Sequence, residues 1–244
     1  MDPEILVLAV LIAFLAAICS SLTGFGFALT MVPLLTLVWD VKLVVATTIL
    51  LGLLNQTALL FEVRGHIVPS RVTILLAGFA LGMPGGLFLL ERLDSDSLKV
   101  MVSATVLVTG FALFWIPAYE IRRGATPLGI AAGALSGVLG PTTSMNGPPI
   151  VIYLLGRHGG VEAFRSTILA YFLPVGIIMT ATFAALGRLT GDVILTAALC
   201  MPAIVAGGQA GSWLRRRLSE ERFRSLVLGV LVLSAIAVLA STVT

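Results

Sequence analysis

Residues 137–156 read GVLGPTTSMNGPPIVIYLLG, and their middle gathers Thr142, Thr143, Ser144, Asn146 and Gly147 ahead of the pair Pro148–Pro149. Three hydroxyls, a carboxamide and a glycine that lets backbone approach closely form a hydrogen-bonding set with no fixed charge. Proline suits the first turn of a helix, where its missing N–H leaves nothing unpaired, and Ser144 or Asn146 is placed to cap that turn. A helix starting here aims about half a positive charge and its free N–H groups at whatever sits before it, which is a seat for an anion. A second tract, LTGFGFA at 22–28, offers Thr23, Gly24, Phe25 and Gly26 in a comparable setting.

Both tracts lie in a chain that water cannot hydrate. Of its 244 residues 58% are hydrophobic and 11% charged, against roughly 25% charged in soluble domains. The fold class that follows is an all-α integral membrane protein. Apolar runs near 43–61, 72–90, 98–116, 164–186, 192–213 and 223–242 each match the ~20 residues that cross a bilayer as a helix. Regions 5–38 and 127–156 are too long for one helix across ~30 Å at ~1.5 Å per residue, so each must break. The Gly- and Pro-bearing polar tracts supply the breaks. The start, MDPE, lacks the basic region of a cleaved signal, so the first run is expected to stay.

The chain also repeats itself. GMPGGLFLLERLDSDSLK (82–99) aligns without gaps with GGQAGSWLRRRLSEERFR (207–224), TTIL (47–50) answers STIL (166–169), and GFALTMVPLL (26–35) answers GPPIVIYLL (147–155). The order is the same in both halves, which predicts a first transmembrane repeat at 1–117, an inter-repeat loop at 118–126 and a second repeat at 127–244. That makes about eight transmembrane segments, with a broken or re-entrant helical hairpin opening each half.

Charge orients them. If each broken region returns to the side it entered, one face receives 11 of the 15 Lys and Arg residues; if each crosses once, it receives 10. The positive-inside rule favours the first arrangement, in which the halves are inverted repeats. The expected location is the cell inner membrane, multi-pass, with Arg-rich loops cytoplasmic and both termini outside.

Polar side chains inside the spans are candidates for the same cavity. Asn55 and Gln56 sit mid-span in GLLNQTALL, and Arg165 opens the span after the second break, within reach of a bound anion. Each also has a plain structural reading as a hydrogen bond between helices or an interfacial cation. Gln209 is a further mid-span amide. No carboxylate is centred in a span, so the usual proton or cation relay is missing.

Enzyme chemistry has little to stand on. His66 and His158 lie in loops without metal-ligand spacing or a nucleophile, and Cys19 and Cys200 lie in apolar runs without CxxC spacing. The glycine clusters GMPGG and GGQAG lie in apolar spans, where they pack helices rather than cradle phosphate. No catalytic residue, metal or cofactor is expected. The excess of basic residues belongs to short loops and implies no nucleic acid.

GFGFALTMVPLL, GVLGPTTSMNGPPIVIYLL followed by FRSTIL, and the paired glycine-rich spans that each end in RL resemble the sulfite exporter TauE/SafE family over nearly the full length. The resemblance implies a polytopic permease in two related halves that exports a small anion such as sulfite, sulfoacetate or a related organic anion. Where members of that family carry successive glycines, this chain reads Gly24-Phe25-Gly26-Phe27, so two phenyl rings reshape that side of the site. The partners implied are a small anionic substrate, the lipid bilayer and a second copy of the chain in a homodimer. Set beside alternating-access transport, the alternatives are an anion channel and a non-transporting membrane subunit that docks a partner.

Overall fold

The computed structural model describes residues 3–60, 67–115, 125–157, 160–215 and 217. All regular structure among them is helical. The first broken region forms α1 (Pro3–Thr23) and α2 (Gly26–Leu35), and the second forms α6 (Ala125–Thr143) and α7 (Gly147–Leu155). Between them run α3 (Val41–Leu60), α4 (Pro69–Arg92) and α5 (Ser95–Trp115); α8 (Gly160–Ala185) and α9 (Gly191–Arg215) follow. Five expected spans therefore fall on α3, α4, α5, α8 and α9. The sixth, 223–242, and most of the inter-repeat loop lie outside the described residues.

Helices α1, α3, α4, α8 and α9 are long and apolar enough to cross a membrane by length and composition. At ~1.5 Å per residue α8 and α9 reach ~37–39 Å, whereas α2 and α7 reach only ~15 Å, half a bilayer. Large apolar side chains cover the outer faces, among them Leu81, Phe88, Val108, Phe111, Leu135, Ile177 and Trp213. Polar side chains turn inward instead: Ser20, Thr47, Asn55, Ser136, Thr142, Arg165 and Thr196 are buried. This is the polarity of a multi-pass membrane protein, whose solvent at the outer face is hydrocarbon.

With no hydrophobic drive between helices in lipid, close packing must hold them, and glycine makes it close. α4 lies on α6 and α1 lies on α9. A Cβ built on Gly86 would meet Val138 O at 2.6 Å, and one on Gly211 would meet Ile18 O at 2.8 Å. One turn earlier, Gly82 and Gly207 press still closer on Ala134 O and Phe14 O. In both pairs the residue numbers rise together along the contact, so α4 runs parallel to α6 and α1 to α9. Ser21 and Ser212 Oγ add a hydrogen bond of 2.9 Å across the second pair. The Arg92 guanidinium covers the Phe88 ring at 5.3 Å, and that of Arg217 covers Trp213 at 4.0 Å, each at the end of its glycine-packed helix.

Between these two pairs α3 packs against α8. Ser136 bonds Tyr171 and the Cβ position of Gly140 touches Met179 Sδ at 2.9 Å, so α6 and α8 run in the same direction. The chain between them must reverse. α7 does so, bringing the Tyr153 hydroxyl back to 3.1 Å from the Cβ position of Gly129, near the start of α6.

Candidate functional site

The two helix breaks have the same local construction. At the first, Gly24 takes φ 86° and its N–H donates to Ser20 O at 2.7 Å. At the second, Ser144 takes φ 58° and its N–H donates to Gly140 O at 2.8 Å. Beside each a threonine closes the turn. Thr23 Oγ1 donates to Cys19 O and accepts from Phe25 N and Gly26 N at 2.9–3.1 Å. Thr143 Oγ1 donates to Leu139 O at 2.8 Å and accepts from Met145 N at 3.2 Å. Backbone groups that a broken helix leaves open are satisfied internally by these hydroxyls.

The tips of the two breaks meet. A Cβ on Gly147, the first residue of α7, would lie 3.6 Å from Phe25 Cβ and 3.4 Å from Phe172 Cζ. Beside this meeting point is a cavity of about 50 Å³ lined by Phe25, Phe27 and Ala28, by Thr48, Ile49, Gly52, Leu53 and Gln56 of α3, by Ser144 and Asn146, and by Phe172, Gly176 and Met179 of α8. One water takes roughly 10–15 Å³ on this measure. The space suits a small oxyanion or a few waters.

Four of the residues expected at a site are thus brought together: Phe25, Gln56, Ser144 and Asn146. The others serve the scaffold around it. Thr23 and Thr143 hold the breaks, and Thr142 Oγ1 donates back to Val138 O at 2.9 Å. A threonine in a helix interior bonds the preceding turn in this way, which occupies its only donor. Asn55 is next to Gln56 but ~100° away around the helix, and its Nδ2 donates to Ser20 Oγ of α1 at 2.8 Å. Gly24, Gly26 and Gly147 contribute backbone at the tips. Asn146 stands at the start of α7 with no side-chain cap hydrogen bond, so the capping expected of Ser144 or Asn146 is absent there. Gln209 faces outward.

Arg165 is 4% exposed and lies behind the first break. Its Nη2 donates to Ser21 O at 3.1 Å, and its Cγ is 3.5 Å from the Cβ position of Gly24. A cation on the last turn of α1 offsets the negative end of that helix, which would otherwise face the cavity beside the positive starts of α2 and α7. No described residue lining the cavity is ionisable.

Sequence reasoning missed Thr48, Gly52, Phe172, Gly176 and Met179. Only Thr48 carried a signal, as a hydroxyl inside an apolar span. Thr48 Oγ1 and Gln56 Oε1 are both buried with no hydrogen-bond partner among the described residues. An unpaired buried polar atom costs about 1–3 kcal/mol, so these two line the cavity at a cost a ligand's hydrogen bonds could relieve.

Residues 9–238 match the sequence model of the sulfite exporter TauE/SafE family. The chain belongs to this family. It is also 24% identical over 217 residues to the probable sulfite/organosulfonate exporter TauE of Cupriavidus necator, an alignment covering 87% of this chain and 85% of that protein. No solved structure matches. The family match spans both breaks and all the helices that line the cavity.

Proposed function

We propose that this protein is a permease that exports a small anion of the sulfite or organosulfonate class across the inner membrane by alternating access. The observation that carries the reading is the cavity at the meeting of the two helix breaks, lined by Gln56, Thr48, Ser144 and Asn146. Broken helices bring positive dipole ends to membrane depth, and such non-helical backbone is tolerated where protein groups or a cavity satisfy it. The substrate class rests on the family and on the name of the Cupriavidus relative.

The reading divides the chain into repeats at 1–117 and 127–244, joined by 118–126, in about eight segments. Matching contacts support it: Gly82 on Ala134 and Gly86 on Val138 in one place, Gly207 on Phe14 and Gly211 on Ile18 in the other. Inversion of the repeats is supported by the helix directions. α6 runs with α8, α1 runs with α9, and α8 must oppose α9 as consecutive spans, so α1 opposes α6. The bond from Val68 N to Thr167 Oγ1 at 3.3 Å, which sets the starts of α4 and α8 on one side, fits the same arrangement. This orientation puts Arg-rich loops in the cytoplasm and both termini outside.

Transport then consists of one hairpin tip moving against the other around the anion. The test is sulfite and organosulfonate flux in proteoliposomes with wild type, Gln56→Leu and Ser144→Ala. Flux that is saturable and accelerated by anion on the far side supports alternating access. Full flux in folded Gln56→Leu and Ser144→Ala would remove the cavity from the pathway.

A further inference from the structure

Gly52 of α3 and Tyr171 of α8 hold matching places, each five residues past the start of the TTIL and STIL tracts. They are opposite in bulk. A Cβ on Gly52 would have one neighbour, Phe27 Cδ1 at 4.0 Å, and the residue lines the cavity. Tyr171 is fully buried, its hydroxyl 2.7 Å from Ser136 Oγ and its ring edge-on to Phe79 at 6.5 Å between centroids. Where α3 leaves a void, α8 places a phenol.

We infer that Gly52 sets the size of the anion that the cavity admits, and that Tyr171 fills the matching space beside α8 so that one seat forms rather than two. The inference rests on the anion-permease reading of the same cavity. The cavity wall beside Gly52 includes Phe27, which is buried, and on the α8 side Phe172, which packs on Tyr171 at 5.6 Å between centroids. Close-packed walls cannot withdraw, so bulk added at Gly52 is taken from the cavity. A methyl has about the bulk of a water and removes a sizeable share of a 50 Å³ space. Glycine inside a helix is also the weaker helix former, so its presence at a position where Cβ meets no obstacle calls for a reason other than folding.

The test uses the purified full chain and the thermal stabilisation given by sulfite, methanesulfonate and ethanesulfonate, for wild type, Gly52→Ala and Gly52→Val. Alanine fits without displacing backbone and favours the helix, so Gly52→Ala is expected to fold at least as well as wild type. A methylene of misfit shifts affinity by about 10- to 200-fold. The largest anion that the wild type binds is therefore expected to lose at least about tenfold more affinity than sulfite in Gly52→Ala, and to be lost in Gly52→Val. Tyr171→Phe keeps the ring and is expected to leave the size order unchanged. An equal loss for all three anions, or an unchanged order in Gly52→Val, overturns the role of Gly52. If none of the three stabilises wild type, the anion reading falls first and this inference with it.

Discussion

Gly24 and Ser144 stand at corresponding turns of the two hairpins, and both backbones enter the left-handed region, with φ 86° and 58°. Glycine adopts that conformation without strain; serine does so at a cost of about 1–2 kcal/mol. Ser144→Gly is therefore expected to raise stability by about 1 kcal/mol while removing a hydroxyl from the cavity. A higher melting temperature together with weaker anion binding is the expected pair of results. Gly24→Ala goes the other way, because its Cβ also meets Ile168 Cγ2 at 3.3 Å. It is expected to lower stability by about 1–2 kcal/mol.

Neighbouring glycines of α9 are expected to respond very differently. Gly207 faces α1, where a side chain would press into Phe14 O, and Gly208 has nothing within 4 Å. Gly207→Ala must push α1 and α9 apart and is expected to cost about 1–3 kcal/mol or more. Gly208→Ala is expected to be neutral or slightly stabilising. Thermal melts of the two variants in detergent distinguish the packing face from the lipid face.

Adjacent amides separate scaffold from site in the same way. Asn55→Leu breaks the bond to Ser20 and is expected to cost about 0.6 kcal/mol, the average for polar bonds between membrane helices, and at most about 1.7 kcal/mol. Gln56→Leu removes a buried unpaired carbonyl oxygen and is expected to keep or improve stability while lowering anion flux. Melting temperature and proteoliposome flux, measured on both variants, give opposite orders if the assignment is right.

Arg165→Ala leaves the last turn of α1 without the cation that bonds Ser21 O. Hydrogen bonds to charged groups contribute about 1.5–3 kcal/mol, and a loss of that order is expected in the melt. Arg165→Lys keeps the charge but not the planar reach of the guanidinium, and is expected to recover only a fraction of it.

Outside the membrane, Asp94 caps α5. Its carboxyl is held below its ordinary value of 3.8 by the Ser97 hydroxyl and then by Ser97 N–H, which donates at 3.1 Å. A lowered carboxylate value gives stability that is fully present above the ordinary value and is lost as pH falls through the folded one. Asp94→Ala is thus expected to melt slightly below wild type at neutral pH, with the difference closing below about pH 3.8. A difference that persists unchanged well below that pH, where the folded carboxyl is protonated too, would mean that the cap acts through something other than its charge.

Composition and run length alone determined that the chain is helical and lies in a membrane. The two overlong apolar regions set where helices must break, because runs of 30 residues or more exceed the ~20 that one helix needs to cross a bilayer. The tracts at 22–27 and 141–147 marked where the breaks fall, since they gather glycine and polar residues that weaken a helix in otherwise apolar runs. Side-chain direction was decided only by the tertiary structure. Thr142, Thr143 and Ser144 are consecutive hydroxyls in the sequence, yet the first two, in the last turn of α6, are spent on the preceding helical turn, whereas Ser144 leaves the helix in the left-handed region and lines the cavity. Asn55 and Gln56, adjacent within α3, diverge because helix geometry turns each residue ~100° from the last. Phe172, Met179 and Gly52 have no sequence mark that distinguishes a cavity wall from a lipid face, since both are apolar. What makes them a wall is that α3 and α8 approach each other between the two hairpin tips, a contact between residues over 100 positions apart.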